Sequence, residues 1–358
     1  MNKYALGVLS LWGVCLWTTI LSSSAVESNT TVLAIIPCYR GENKSTAGLL
    51  AELETTLFTN TSFTLVDRQS ITKLLQEHAL SNSDLADPRK RIRMSHWLTA
   101  DLLLLLDSKS SGTNIASQLI LVETKTSIIL DTLILLGVSS RADIPGIIDW
   151  ITRTDAKRAL PLKDRHLVGL LPIHNEETGS ALNPFADTIT ELIRYALCSI
   201  TNVAIMEREH VEYLRTETAL SPLDIELRAA TFLLDGGIRR SSKPGFMDIT
   251  LRIMPMGAST GRTITIESPT NDIGGLKTML VQGIGKTLSI PVASFSDTSV
   301  QTEALYFANQ AEMWSSWREH DKARIAAATA FALDPSQTNR LRLAAMLIYT
   351  HKSDDLEE

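Results

Sequence analysis

The strongest constraint on the fold of this chain is a stretch that occurs twice. Residues 63–80 read FTLVDRQSITKLLQEHAL, and residues 203–220 read VAIMEREHVEYLRTETAL. Each stretch is a short apolar run, an acidic residue, an arginine and then a helical pattern, which is typical of a strand that leads directly into a helix. Nine positions separate the arginine from a glutamate in both copies. The repetition predicts tandem copies of one folded unit.

The strand and helix signals around this stretch recur in the same order. Residues 32–37 (VLAIIP) and 167–172 (LVGLLP) are continuous apolar runs that end in proline, as buried strands do. Asp143 and Asp272, 129 positions apart, precede similar closing helices. Alternation of strands and helices predicts an α/β fold, with a largely parallel sheet and an antiparallel hairpin at one edge. The predicted domains are two α/β copies, at 31–158 and 166–292.

The composition changes after the second copy. Residues 302–333 are rich in alanine and carry no strand pattern, and Glu319-His320-Asp321 divides them into two predicted helices. Residues 340–349 predict a third helix that covers the exposed side of this pair. The third predicted domain is therefore a small helical module at 302–351.

The first 25 residues have the character of an export signal. Lys3 precedes an apolar run at 5–21, and the small residues at 23–25 offer a cleavage site before Val26. An anchor helix that is retained is the alternative, although about 17 apolar residues are borderline for crossing a bilayer. The sequence thus predicts an exported protein.

Composition and motif searches argue against several classes of function. A net charge of -6 and a pI near 5.7 argue against a nucleic-acid binder. Residues 283–287 (GIGKT) imitate a phosphate-binding loop but lack its first glycine and a preceding strand, so we assign them to the end of a helix. His166 and His174 are predicted to be surface residues, and no cysteine–histidine spacing suits zinc. We expect no cofactor, no metal and no enzymatic activity.

Two cysteines follow the predicted signal, one in each copy. Cys38 and Cys198 would form a disulfide only across the two copies. We predict instead that both are buried as small apolar residues.

The repeated pattern resembles a known family of envelope domains. VLAIIP, FTLVDRQSITKLLQE and then TADLLLLLD follow the order seen in the periplasmic α/β domain of the curli-secretion channel family (CsgG-like), and the N-terminal domain of TolB-type proteins is similar. The second copy departs at Ala230-Thr231, where the family has Ala-Asp. The resemblance implies two tandem CsgG-like domains that are exported, reside in the envelope, and bind or assemble without catalysis.

The C-terminal helices resemble a single tetratricopeptide repeat. Small, aromatic and proline residues stand where that repeat has them, at Ala311, Trp314, Ala323, Ala330 and Pro335. One repeat is too few to form the usual peptide groove. We therefore expect this TPR-like module to dock on a neighbouring domain or on a partner, with Trp314 as a candidate contact.

The two arginines of the repeated stretch are the other candidate site residues. Arg68 and Arg208 are expected to fix the strand-to-helix turn by pairing with the neighbouring acid, or with Glu77 and Glu217 respectively. A site for an anion or a partner protein is the alternative function of these arginines.

Taken together, these patterns predict a non-enzymatic protein of the periplasm or outer-membrane periphery that binds or assembles with protein partners. A homo-oligomer is an open alternative, and membrane contact is expected only through an uncleaved signal or through partners. Two other functions stay open: a subunit of an oligomeric outer-membrane channel, and a hydrolase with a site between the copies.

Overall fold

The computed structural model describes most of the chain after the predicted signal. The described residues are 30–38, 44–59, 62–80, 94, 97–111, 114–136, 143–206, 208–216, 220–291 and 299–357. The predicted signal at residues 1–25 lies outside them.

The described elements fall into two repeats and a C-terminal module. The first repeat contains β1 (Thr31–Pro37), α1 (Lys44–Thr59), β2 (Phe63–Leu65), α2 (Arg68–Glu77), β3 (Leu102–Ser111), β4 (Asn114–Glu123), β5 (Ile128–Leu136) and α3 (Ile144–Ala159). A short 3-10 helix (Leu162–Asp164) leads to the second repeat, which contains β6 (His166–Asn175), α4 (Asn183–Cys198), β7 (Val203–Met206), α5 (Arg208–Thr216), α6 (Pro222–Ala230), β8 (Thr231–Arg240), β9 (Phe246–Pro255), β10 (Arg262–Pro269) and α7 (Ile273–Leu288). The C-terminal module consists of α8 (Val300–Ser316), α9 (His320–Leu333) and α10 (Gln337–Glu357).

Both repeats belong to one ten-stranded sheet, in the order β10-β9-β8-β6-β7-β5-β4-β3-β1-β2. Within each repeat the first strand lies parallel to the second and the third, and an antiparallel hairpin follows. The repeats meet where β5 pairs antiparallel with β7, at Ile129 and Ile205. The α/β class predicted from the sequence is confirmed.

Helices cover both faces of the sheet, and equivalent helices of the two repeats lie on opposite faces. In the first repeat α1 and α3 cover one face, which we call the α1 side, and α2 covers the other. We call this other face the α4 side, because α4 of the second repeat also lies on it, as shown next. Ile129 packs with α2, whereas the adjacent Ile128 packs with α5 and α6 of the second repeat. Neighbouring residues of a strand point to opposite faces. Thus α5 and α6 lie on the α1 side, and α4 and α7 lie on the α4 side.

Two details of the sheet differ from the sequence-based expectation. The hairpin β4–β5 was expected at an edge, but the second repeat adds to it, so it lies inside the joint sheet. The strand predicted to end at Pro172 continues to Asn175, because the β6–β8 register shifts between Leu170 and Ile173. The shift accommodates a proline that has no N–H to donate to the neighbouring strand.

A buried ion pair fixes the connection between the repeats. Arg165, just before β6, donates two hydrogen bonds to Glu123 at the end of β4, with Nη1–Oε2 at 2.7 Å and Nη2–Oε1 at 3.0 Å. Its Nε and Nη2 also donate to the carbonyl oxygens of Leu160 and Arg158, both at 2.7 Å. The two charged side chains are only 7% and 5% exposed. The start of the second repeat is therefore tied to the hairpin of the first.

Lys157, near the end of α3, makes a second link across the same joint. Its residue is 6% exposed, and its Nζ donates to the carbonyl oxygens of Leu130 in β5 and of Cys198 at the end of α4. Leu130 is available as an acceptor because it is the extra residue of a bulge in the β4–β5 pairing. One ammonium group thereby satisfies a backbone carbonyl from each repeat.

We expect Glu123→Gln to lower the free energy of unfolding by about 3–5 kcal/mol, because it leaves the buried guanidinium of Arg165 without a counter-charge. Urea titration measures this loss. Asp149→Asn is the matched control, since Asp149 pairs with Arg153 at 2.9 Å but both side chains are about 70% exposed; it should cost less than about 1 kcal/mol. Equal losses in the two variants would contradict a structural role for the buried pair.

Candidate functional site

The first predicted site residue, Arg68, has a partner that the sequence did not indicate. Its Nε lies 2.7 Å from Oε1 of Glu54 in α1. The neighbouring Asp67 instead caps α2 by accepting from the N–H of Ser70 at 3.0 Å. Glu77 is exposed at the far end of α2, about 13 Å along the helix axis. The predicted pairing of Arg68 with Asp67 or Glu77 is therefore wrong.

The equivalent corner of the second repeat is described only in part. Arg208 is the first residue of α5 and is exposed. Glu217, its predicted partner, lies outside the described residues. Arg68 begins α2 and Arg208 begins α5, on opposite faces of the sheet, so the structure does not bring the two arginines together into one site.

Trp314, the third predicted contact, lies inside the protein's own packing. Its ring contacts Trp317 edge-on at 5.2 Å, and Nζ of Lys322 lies 4.6 Å from its centroid. Met313 and Trp317 pack with Ala116 of β4, in the first repeat. The expected docking of the module is thus directed, at least in part, at the chain itself.

The other end of α8 packs on the second repeat. Phe307, Ala304 and Ala308 join the core formed by α4 and α7. Glu303, which is 2% exposed, forms an ion pair with Lys277 of α7. A single helix therefore contacts both repeats on the α4 side of the sheet.

A thiol and two phenols lie partly buried near the joint between the repeats. Burial, followed by the nearby carboxylate of Asp131, raises the pKa of the Cys198 thiol to about 11. Burial likewise raises the pKa of Tyr195 and of Tyr306, whose rings are 4.6 Å apart. All three groups are thus held in their protonated form at neutral pH. A nucleophile needs the opposite, a thiolate with a lowered pKa.

The remaining motifs are the segment 283–287 and the two histidines of β6. Residues 283–287 lie in the last turns of α7, as predicted. His166 and His174 are eight positions apart on β6, about 26 Å along a strand, so they cannot share a ligand. Burial lowers the pKa of His166, whereas His174 is exposed. Within the described ranges no group of three or more His, Cys, Asp or Glu residues is placed to hold a metal ion.

Among the described residues, the largest concentration of exposed apolar side chains is on α10, the outermost helix of the module. Leu341 is 62% exposed, Ile348 57%, Tyr349 52% and Leu347 42%. Residues 341–349 read LRLAAMLIY, in which arginine is the one charged residue. A helix that is apolar on all sides is usually covered on all sides. We call the face formed by Leu341, Ala344 and Ile348 the outer stripe of α10.

The opposite face of α10 is firmly attached to the module. Met346 and Leu343 pack against alanines of α8 and α9. Asn339, 6% exposed, donates to the backbone carbonyl of Asp334 at 3.0 Å and so closes the end of α9. Arg342 pairs with Glu312 of α8 at 2.8 Å. The outer stripe is therefore held in a fixed orientation, facing away from the module.

No helix in the described part of the chain is both long and apolar enough to cross a membrane. Cys38 and Cys198 are not joined in a disulfide; Cys38 is buried, as expected, and Cys198 is partly buried.

Comparisons with known proteins give weak likenesses. No protein-family model matches the chain, and no curated protein sequence matches it. Among solved structures, the LpoB C-terminal domain from Salmonella enterica is similar at 22% identity and a TM-score of 0.26, over 31% of this chain and 84% of that one. Lipoprotein GNA1162 from Neisseria meningitidis is similar at 14% identity and a TM-score of 0.26, over 37% and 99%. The PelC dodecamer from Paraburkholderia phytofirmans has 18% identity and a TM-score of 0.21, over 37% and 89%.

The thiol of Cys198 should be alkylated slowly by iodoacetamide at pH 8, because a pKa of about 11 leaves little of the reactive thiolate. In a Cys38→Ala background we expect a rate about a hundredfold below that of a cysteine introduced by Ile225→Cys at an exposed position. The alkylation rate of Cys198, measured by mass spectrometry, should rise about tenfold per pH unit between pH 8 and 10. A plateau reached by pH 9 would show that the pKa of Cys198 is not raised.

Proposed function

We propose that this chain is a non-enzymatic, exported protein of the cell envelope that acts in binding or assembly through the outer stripe of α10. The observation that carries this proposal is a rigidly held helix whose apolar residues face solvent on the side away from its module. Exposed apolar patches of this kind mark protein–protein interaction sites. The apolar N-terminal segment, with its small-residue end, supports export.

The rest of the module supports the same function. Its α8 contacts the second repeat through Phe307 and the first repeat through Met313. The module is therefore fixed relative to both repeats, and α10 presents its stripe from a rigid base. A CsgG-like identity for the repeats, proposed from their sequence pattern, fits an assembly role.

An oligomeric channel is the less favoured alternative. The hairpin β4–β5 is enclosed between β3 and β7, so strand pairing already occupies both of its sides. The edge strand β10 exposes Arg262, Thr263, Thr265 and Glu267, and the other edge, β2, has only three residues. Charged and very short edge strands discourage the addition of further strands.

A hydrolase with a site between the repeats is the other alternative. Near that joint the thiol of Cys198 and the phenols of Tyr195 and Tyr306 each have a raised pKa, and the buried charged groups, Glu123, Arg165 and Lys157, are paired with each other or with backbone carbonyls. Such groups stay neutral at pH 7 and are poor nucleophiles. The chemistry of the joint therefore favours packing over catalysis.

Photo-crosslinking in the native host tests this function. A photoreactive residue replacing Leu341 should give discrete protein adducts in the envelope fraction, and the same residue replacing Thr265, exposed on β10, should not. Ile348→Glu, added to the Leu341 probe, should abolish the adducts because it places a charge in the apolar contact. The proposed function is wrong if Leu341 and Thr265 give the same adducts, or if Leu341 gives none.

A further inference from the structure

Strand β5 is paired on both of its sides only near its beginning. Its pairing with β7 consists of Ile129 and Ile205, and β7 begins two positions earlier, at Val203. Because the two strands are antiparallel, Val203 lies level with Asp131, and the last five residues of β5 extend beyond β7. No strand in the described part of the chain pairs with these residues on that side. The hairpin stays in the sheet, held by β3 and by the pair at Ile129, but residues 132–136 form what we call the open edge of β5.

The backbone of the open edge directs every second N–H away from β4. The N–H of Thr132 donates to Oδ1 of Asp131 at 2.8 Å, and so it does not belong to the ladder with β4. In an antiparallel ladder, alternate residues direct their N–H and C=O groups to the same side of the strand. Ile134 and Leu136 therefore direct these groups to the same side as Thr132, where no described strand lies.

The side chains of the open edge are less covered than those of the strand beside it. Leu119 and Leu121 of β4 are fully buried, whereas residues 132–135 are half-buried and Leu136 is 38% exposed. Successive residues of a strand point to opposite faces, so this partial exposure occurs on both faces of the sheet. It is the pattern of a strand that is exposed along its edge.

The open edge lacks the features that protect the two outer edges of the sheet. The outer strand β10 exposes Arg262 and Glu267, and β2 has only three residues. Residues 132–136 read TLILL, with no charge, proline or glycine. An apolar edge without such protection readily adds another strand. We propose that the open edge of β5 binds an extended segment of a partner protein, which joins the sheet as one more strand.

The chemistry of the open edge defines this partner segment. Its five residues span about 17 Å, which a partner segment of five or six extended residues matches. Backbone pairing provides the affinity, so proline is excluded from the segment, and a helix, which bonds its own backbone internally, cannot take its place. Leu133 and Leu135 pack on the α1 side and Ile134 on the α4 side. The segment should therefore carry apolar or β-branched residues on both faces.

This surface is distinct from the outer stripe of α10, so the inference goes beyond the proposed function. The pairing of β5 with β7 already shows that the outer side of β5 accepts an antiparallel strand. The partner strand would continue that pairing from the level of Asp131 onward.

Hydrogen exchange of the full chain tests whether the edge is open. The amide hydrogens of Ile134 and Leu136 should exchange at least about a hundredfold faster than that of Leu133, which pairs with Leu119 of β4. Fragmentation mass spectrometry resolves the individual amides. Equal protection of all three amides would show that the edge is already covered, and it would overturn the proposal.

Fluorescence anisotropy of the full chain with a synthetic peptide tests the binding. The probe is a labelled peptide of six alternating valines and threonines between two lysines, and we expect it to bind. The same peptide, N-methylated at every valine and threonine, keeps its side chains but donates no backbone hydrogen bond from them. Its affinity should be at least about tenfold lower. Equal affinity would show adhesion through side chains alone, and no binding of the first peptide would equally overturn the proposal.

A proline in the open edge removes one outward donor without changing the ladder with β4. Leu136→Pro should lower the affinity for the peptide at least about tenfold, with an unchanged midpoint of urea unfolding. Leu136→Val is the matched control, because it keeps the N–H and an apolar side chain, and it should bind like the unaltered protein. The proposal is wrong if Leu136→Pro binds as well as the control, or if its urea midpoint falls, since the N–H would then belong to the ladder with β4.

Discussion

The buried charges at the joint between the repeats are the interactions on which the rest of the structure depends. Taking the ions Glu123, Arg165 and Lys157 out of water costs several kcal/mol each unless every donor and acceptor is satisfied. Here the guanidinium has a carboxylate and two carbonyls, and the ammonium has one carbonyl from each repeat. This network draws its partners from both repeats. It therefore fixes the orientation of the two repeats, which a single strand pairing at Ile129 would not do alone.

That orientation determines what the C-terminal module can do. Because β5 and β7 run in opposite directions, equivalent helices of the two repeats lie on opposite faces of the sheet. On the α4 side, the end of the hairpin β4–β5 therefore lies next to α4 and α7. Helix α8 contacts both, through Met313 and Phe307. The module thus serves as a brace across the joint, and this leaves α10 as its outer surface.

Much of the fold could be predicted from the sequence, because it follows from local patterns. Apolar periodicity and turn residues predict the duplication, the strand-to-helix corners and the three C-terminal helices. The sharing of one sheet was not predictable in this way, since the pairing of Ile129 with Ile205 joins residues 76 positions apart with no local signal. Arg68 shows the same limit: its partner, Glu54, lies on a different helix, and spacing along the chain does not indicate which helices meet.

The candidate site was partly visible in the sequence. Residues 340–349 were predicted as a helix that covers the other two helices of the module. Their apolar residues occur on more than one face of that helix, and this pattern could have predicted a further contact on its outer face. Trp314 was expected as a contact of the module with a neighbouring domain or a partner, and it packs within the protein, where α8 is the helix of the module that lies against the first repeat.

The central claim is that the two repeats and the module form one body, held by the buried joint. Differential scanning calorimetry of the protein tests it most directly. The structure predicts a single unfolding transition whose calorimetric and van't Hoff enthalpies agree, as for a cooperative unit. Two resolved transitions, or a calorimetric enthalpy well above the van't Hoff value, would show that the repeats unfold independently and that the joint does not couple them.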